Sequence, residues 1–185
     1  MLSNVFVCSD GIDTNYKVKE KLVPYSEYTP KFLRNILNRN ISFDYIENES
    51  FKKQNKEELY LICYEVVFSN YISRNIGKSS RIILLTSEKF FNNSYFGMKQ
   101  YNDIIRLRAI ENRKPIIKSS NSGTSFFVDK FGFISKSCKG ELCTFSVNKK
   151  NSSSSNNSLY SSYIVKYSVY LYFNILLIIF IILKK

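Results

Sequence analysis

The hydrophobic positions of this chain fall into short runs separated by polar stretches, a pattern typical of an α/β domain. Runs with little polar alternation predict strands that are buried on both faces. The predicted strands are 59–62, 81–86, 115–119 and 141–147, and a hairpin is predicted to pair 125–129 with 133–136. Helical spacing of apolar residues predicts helices over 66–73 and 98–113. This alternation of strands and helices predicts a mixed β-sheet with flanking helices.

The first part of the chain has a different pattern, which predicts a hairpin followed by irregular segments. Val5–Cys8 predicts a strand, Asp10-Gly11 a tight turn, and 15–22 the return strand. Three lysines alternate with other residues along that return strand, and their simplest interpretation is a solvated face. A short helix over 31–38 and a long exposed loop over 38–57 are predicted to follow. A chain that starts on a hairpin, without a strand–helix unit before the sheet, suggests a domain whose first half is absent.

The other end of the chain is almost wholly apolar. Residues 163–183 are Tyr, Ile, Val, Leu and Phe apart from three polar positions, and two lysines close the sequence. A helix needs about 20 apolar residues to cross the bilayer core, and tyrosines and lysines suit its two interfaces. We therefore predict a domain over 1–148, a low-complexity Asn/Ser linker over 149–159 and a transmembrane helix over 160–185. The alternative for the last region is a hydrophobic core helix.

Composition narrows the possible functions. The 185 residues carry a net charge of +12 at pH 7. The basic residues are spread along the chain and accompany the Lys, Asn, Ile, Phe and Tyr content of A+T-rich codons, so we predict no nucleic-acid partner. The chain has no His, which excludes His-based catalysis and most zinc sites. We predict neither a metal nor a cofactor.

Cys63 is the candidate nucleophile, since it ends an apolar run and is followed by Tyr64, Glu65 and a helical pattern. A strand that turns sharply into a helix can expose a thiol at the edge of a sheet, and the helix dipole there favours thiolate. The simpler alternative is a core cysteine. Cys138 and Cys143 flank a Lys-Gly-Glu-Leu turn, where two free thiols are favoured over a disulfide or a zinc knuckle.

Four short motifs follow one another along the chain. They are Lys19-Glu20-Lys21-Leu22-Val23-Pro24 with Glu27 close behind, Ile62-Cys63-Tyr64-Glu65, Arg106-Leu107-Arg108-Ala109-Ile110-Glu111 and Asn121-Ser122-Gly123-Thr124-Ser125. In this order, with an apolar segment after them, they resemble the C-terminal half of the apolipoprotein N-acyltransferases, in the carbon–nitrogen hydrolase (nitrilase) superfamily. The resemblance implies a partial nitrilase-like domain over 1–148, with a mixed β-sheet and flanking helices as half of an αββα sandwich, plus the C-terminal transmembrane helix.

The resemblance also implies a reaction. Cys63 would attack the ester carbonyl of a phospholipid acyl chain and form a thioester, and the N-terminal amine of a lipoprotein would then take the acyl group. Lys19 would stabilise the oxyanion, with help from the backbone N–H of Tyr64. Glu27 and Glu65 would be supporting carboxylates that orient Lys19 and shape the pocket. The implied location is the bacterial inner membrane, with the catalytic domain on the periplasmic side.

The chain departs from the family's pattern at three points. No residue corresponds to the general-base glutamate, which in the family precedes everything present here. The loop before the long helix is Ser87-Glu88-Lys89-Phe90-Phe91 in place of an Asn-Asp-Gly-Trp segment, and Tyr101 stands where the family has histidine. We therefore expect the lone chain to be weakly active or inactive unless a second polypeptide carries the missing half.

Three functions follow from these observations. The first is an acyltransferase that is truncated or half of a split enzyme. The second is a catalytically inactive, membrane-anchored remnant or binding module. The third is a soluble-type amidase of the same superfamily with an added anchor, and the apolar C-terminal segment argues against it.

Overall fold

The structure, a computed structural model, describes residues 4–9, 11, 14–29, 57–92 and 94–139, with scattered positions between 167 and 178. Several predicted segments lie outside these residues. They are the helix over 31–38, nearly all of the loop over 38–57, the strand over 141–147 and the linker over 149–159.

The N-terminal hairpin consists of β1 (Val5–Ser9) and β2 (Thr14–Val18), which pair antiparallel. Phe6 on β1 is buried and stacks on Tyr60, with 4.5 Å between ring centroids. Lys17 and Lys19 lie two residues apart and so share one face of the extended chain. That face is buried, with 4% and 3% of these residues exposed, which contradicts the alternative interpretation of a solvated lysine face.

The main sheet has five strands in the described residues. They are β3 (Glu58–Ile62), β4 (Arg81–Ser87), β5 (Ile116–Asn121), β6 (Ser125–Val128) and β7 (Ile134–Cys138), and they lie side by side in chain order. The first three pair parallel and the last two pairings are antiparallel, so the sheet is mixed as predicted. Because parallel strands need crossover connections, helices α1 (Ser69–Asn75) and α2 (Tyr95–Asn112) fall between them.

Apolar side chains from the parallel strands and the helices form one core. β3 is covered on both faces, since Leu59, Tyr60 and Leu61 are all at most 1% exposed. α2 contributes Ile105 and Ala109, both fully buried, to the same cluster. Removing a buried aliphatic side chain of this kind typically costs about 2–5 kcal/mol. The core therefore fixes the edge of the sheet where β3, β4 and β5 all end.

The two predicted helices differ from the observed ones at their starts. After β3 the chain forms a 3-10 turn over Cys63–Val67, is extended at Phe68, and only then enters α1. α2 begins three residues earlier than predicted because Ser94 caps it, accepting a hydrogen bond from the backbone N–H of Gly97 at 3.3 Å.

The predicted fold class is wrong as stated. In place of half an αββα sandwich followed by a transmembrane helix, the described residues form a mixed α/β arrangement of a five-stranded sheet and two α-helices, with a separate hairpin. None of the helices in these ranges combines the length and the apolar character needed to cross a membrane. The longest, α2, carries charged residues along its length. Residues 160–185 are described only at scattered positions, and the three predicted region boundaries remain predictions.

The cysteines also differ from expectation. Cys138, at the end of β7, is disulfide-bonded, so the prediction of a free thiol is wrong at this position. Cys143 lies outside the described residues. Cys8 and Cys63 are free and partly exposed.

Candidate active site

Cys63 lies at the shared carboxyl edge of the parallel strands, in the first position of the 3-10 turn. Its φ is +48°, in the left-handed region that residues other than glycine adopt only when their surroundings impose it. The residue lines a cavity of about 620 Å³ together with Lys19, Glu27 and Tyr64. The hairpin, the segment after it and the turn after β3 thus contribute to one cavity.

The Lys19 ammonium is held at the cavity wall by Glu27. Its Nζ donates to both carboxylate oxygens of Glu27, at 2.6 and 2.7 Å. The same carboxylate accepts from the backbone N–H of Val23 at 2.7 Å and from Nδ2 of Asn4 at 2.8 Å. An ammonium has three donors, so one N–H of Lys19 has no acceptor among the described residues. Glu27 therefore contacts the Lys19 ammonium directly, and its role as a supporting carboxylate remains a prediction.

Glu65 makes a different set of contacts. Its carboxylate is fully buried, is paired with the Lys17 ammonium, and accepts from the backbone N–H of Ile62 at 2.8 Å and of Glu20 at 2.7 Å. Burial lowers the pKa of Lys17 below its ordinary value, and the adjacent Glu65 charge opposes that shift. Glu65 thus ties the hairpin to the 3-10 turn over Cys63–Val67, called the cysteine turn below. It contacts Lys17, whereas the sequence predicted that it would orient Lys19.

Most of the cavity wall is apolar. Hydrophobic side chains come from the turn after β3, from the end of β4 and the segment after it, and from α2, namely Val67, Leu85, Phe90, Phe91 and Ile104. A cavity of this size with a few converging polar groups is typical of a binding site for a small organic group. The arrangement can hold an apolar chain beside a thiol and an ammonium.

Two residues of α2 hold the cysteine turn from behind. The guanidinium of Arg108 donates to the carbonyl oxygens of Val66 at 3.0 Å and Val67 at 3.1 Å. The hydroxyl of Tyr101 donates to the carbonyl oxygen of Cys63 at 3.0 Å. Burial raises the pKa of Tyr101 well above its ordinary value, so this hydroxyl keeps its proton at neutral pH. The turn is therefore fixed by hydrogen bonds from side chains of α2.

Comparison with known proteins connects this geometry to a family. The chain is 36% identical over 126 residues to the apolipoprotein N-acyltransferase of Rickettsia prowazekii, a match that covers 64% of this chain and 25% of that protein. It is 31% identical over 130 residues to the enzyme of that name from Pasteurella multocida, covering 65% and 25%. For Pseudomonas putida the values are 28% over 142 residues, covering 71% and 27%. The chain is a relative of the apolipoprotein N-acyltransferases.

The relationship has a limited extent. The chain spans about a quarter of the length of the curated apolipoprotein N-acyltransferases it matches. No protein-family model matches the chain. Within the described residues, no group of three or more His, Cys, Asp or Glu side chains could hold a metal ion.

The structure brings four predicted residues, Lys19, Glu27, Cys63 and Tyr64, to one cavity, while their roles remain predictions. Sequence reasoning missed other contributors. They are Lys17, which pairs with Glu65, Asn4, which contacts Glu27, and Tyr101 and Arg108, which hold the turn. One signal was present for Lys17, because its two-residue spacing from Lys19 places both on the same face of an extended chain. The others depend on contacts between residues distant in sequence.

Proposed function

We propose that this chain carries the cysteine and lysine of a lipoprotein N-acyltransferase site. The observation that supports the proposal most is that Cys63 and Lys19, from segments far apart in sequence, line one largely apolar cavity. The sequence relationship to apolipoprotein N-acyltransferases supports the same chemistry. The chain covers about a quarter of the length of those relatives, so their complete activity is a proposal for this chain.

In the first half-reaction, the Cys63 thiolate attacks the ester carbonyl of a phospholipid acyl chain. The remaining N–H of Lys19 and the backbone N–H of Tyr64 stabilise the resulting oxyanion. The tetrahedral intermediate collapses to a thioester on Cys63, and the departing lysophospholipid oxygen takes up the proton from the thiol. The apolar wall holds the acyl chain during this step.

In the second half-reaction, the N-terminal amine of a lipoprotein's lipid-modified cysteine attacks the thioester carbonyl. The C–S bond breaks, an amide forms, and the amine's proton returns to the sulfur. The products are an N-acylated lipoprotein and the free Cys63 thiol, so the chain returns to its starting state.

Proton removal from the thiol needs a base. Glu27 carries the one carboxylate among the described residues that line the cavity. Its oxygens already accept hydrogen bonds from Lys19, Val23 and Asn4. The family's general-base glutamate has no counterpart that the resemblance assigns in this sequence, so we propose that the base comes from elsewhere in the same protein or from a second polypeptide. The proposal keeps the periplasmic side of the bacterial inner membrane as the location. The disulfide at Cys138 supports an oxidising compartment.

The second candidate function is an acyl-binding module without chemistry. It is favoured by the saturated contacts of Glu27, which leave the described cavity without a base for the thiol. Both candidates use the same cavity, and they differ in whether a bond forms at Cys63.

A thiol-directed probe with a long alkyl chain and a phospholipid acyl donor together test the proposal. The purified chain is incubated with each, and Cys63 and Cys8 peptides are analysed by mass spectrometry. The proposal predicts that the alkyl probe labels Cys63 in preference to Cys8, and that Cys63→Ser abolishes this label. A hydroxylamine-sensitive thioester on Cys63 is expected only when the missing base is supplied. Equal labelling of the two cysteines would contradict both candidates, and a thioester formed by the lone chain would contradict the need for an external base.

A further inference from the structure

A third lysine–glutamate pair lies between the ends of β4 and β5. Lys118 on β5 is paired with Glu88, which follows β4, and their side chains are 0% and 1% exposed. Nζ of Lys118 also donates to Oδ1 of Asn102 at 2.7 Å. The proposed reaction uses none of these three residues.

A contribution to the free energy of folding does not explain why Lys118 and Glu88 are buried together. A buried ion pair usually gains little over well-packed apolar residues of the same volume, because both charges lose their hydration. The fold nevertheless makes room for it, since a Cβ atom at Gly123 would overlap the Glu88 carboxylate. Burial lowers the pKa of Lys118 below its ordinary value, and Glu88 opposes that shift.

Tyr101 connects the Lys118–Glu88 pair to the cysteine turn. Nζ of Lys118 lies 5.7 Å from the centroid of the Tyr101 ring, and Asn102, its other partner, is the next residue of α2. The Tyr101 hydroxyl donates to the Cys63 carbonyl at 3.0 Å and lies 3.1 Å from Oγ1 of Thr86. A hydroxyl carries one proton, so Thr86 donates to Tyr101 while Tyr101 donates to Cys63.

We infer that Lys118, Glu88 and Tyr101 act as positioning residues, which hold the Cys63 carbonyl so that the turn keeps its left-handed conformation and the thiol faces the cavity. The ion pair fixes the ring of Tyr101 from one side, and the hydroxyl fixes the turn at the other end. Without this hydroxyl the turn relaxes toward ordinary backbone angles, and the thiol leaves the cavity for part of the time. The inference rests on the proposed function only in taking Cys63 as the reacting group.

The test measures how fast iodoacetamide alkylates Cys63, with Cys8 in the same sample as the internal standard. The variants are Tyr101→Phe, which keeps the ring, and the paired change Lys118→Met with Glu88→Leu, which leaves no unpaired buried charge. Each is expected to slow Cys63 about three- to tenfold, the range of one lost hydrogen bond, and to leave Cys8 unchanged. The triple variant is expected to be no slower than either, because both changes act through the same hydroxyl.

Thr86→Val provides a milder variant that keeps both Tyr101 and the ion pair, and its expected slowing is smaller than that of Tyr101→Phe. A merely structural role would lower the melting temperature without changing the ratio of Cys63 to Cys8 rates. The inference is overturned if Tyr101→Phe leaves that ratio unchanged, or if the two effects multiply in the triple variant. Alkylation needs no lipid, so a chain that shows these rates but forms no thioester even when the missing base is supplied refutes the acyltransferase proposal alone.

Discussion

Two neighbouring lysines at the end of β2 each form an ion pair with a glutamate, and the two pairs have different surroundings. Lys17 and Glu65 form a sealed pair, with side chains 4% and 0% exposed. Lys19 and Glu27 form a pair at the cavity wall, with side chains 2% and 13% exposed. The lysines are only two residues apart, so the difference comes from what surrounds each carboxylate.

The partners of the carboxylates explain the difference. Glu65 accepts from the backbone N–H groups of Ile62 and Glu20, so it joins two segments of the chain. Glu27 accepts from groups near the hairpin and leaves one donor of Lys19 for the cavity. The same pair of residue types therefore joins two segments of the fold in one place and lines a cavity in the other. The comparison predicts that mutations will separate stability from reactivity.

The largest effect is expected from Glu65→Ala. This change leaves the buried Lys17 ammonium unpaired and removes the acceptor for two backbone donors, so the free energy of unfolding should fall by about 3–5 kcal/mol. Urea denaturation at pH 7 measures it. Glu20→Ala, at an exposed carboxylate nearby, is the matched control and should change stability by about 0.5 kcal/mol or less. A loss below 1 kcal/mol for Glu65→Ala would show that the sealed pair does not hold the turn.

Lys19→Met is expected to have the next largest effect, on reactivity. Loss of one oxyanion donor typically costs about 100-fold in rate, so thioester formation at Cys63 with the base supplied should fall by about that factor. The rate is followed by mass spectrometry of the Cys63 peptide. Lys21→Met, which changes a neighbouring lysine outside the cavity wall, serves as the control and should stay within about twofold. Equal losses in the two variants would remove Lys19 from the site.

A smaller effect is expected from Asn4→Ala. This change deletes the 2.8 Å hydrogen bond from Nδ2 of Asn4 to Oε1 of Glu27, and a single hydrogen bond contributes about 1 kcal/mol. Thioester formation should fall a few-fold because Glu27 holds Lys19 less firmly, while the urea midpoint changes little. Asn70→Ala, at an exposed position on α1, is the control. A rate equal to that of the unchanged chain would mean that Lys19 and Val23 alone fix Glu27.

The smallest effect is a dependence on pH. The pKa of Lys17 is lowered from 10.5 mainly by burial, so the folded chain releases this proton at a lower pH than the unfolded chain does. Stability should therefore rise with pH in the window below 10.5, compared with Lys17→Met, which lacks the group. Urea denaturation of both proteins at pH 8, 9 and 10 gives the comparison, and titrating groups that do not contact Lys17 cancel in the difference. If the unchanged chain instead lost stability relative to Lys17→Met as the pH rises, the pKa of Lys17 would be raised in the folded chain and not lowered.

Much of the main sheet could be predicted from the sequence. The run 81–86 differs from the observed β4 by one residue, and the run 59–62 ends where β3 ends. These strands are buried on both faces, so their apolar runs are nearly unbroken. The start of α2 was predicted three residues late, because Tyr95 and Phe96 are exposed and do not take part in the apolar spacing.

The hairpin and the turn after Cys63 show what the sequence could not supply. Alternation along β2 separates two faces but does not say which one is buried, and here Glu65, 48 residues away, buries Lys17. The break at Phe68 between the 3-10 turn and α1 is likewise a tertiary effect, since Arg108 binds the carbonyl groups just before it. The motifs led to the cavity residues, whereas the residues that hold them come from other elements.

The 45-residue separation between Glu20 and Glu65 also affects the order in which their contact can form during synthesis. Synthesis runs from the N-terminus, so the hairpin is made before the carboxylate that binds it. Cys63 and Glu65 are made almost together, two residues apart. In a nascent chain, contact between the hairpin and the turn at Cys63 can therefore form only after Glu65 has been added.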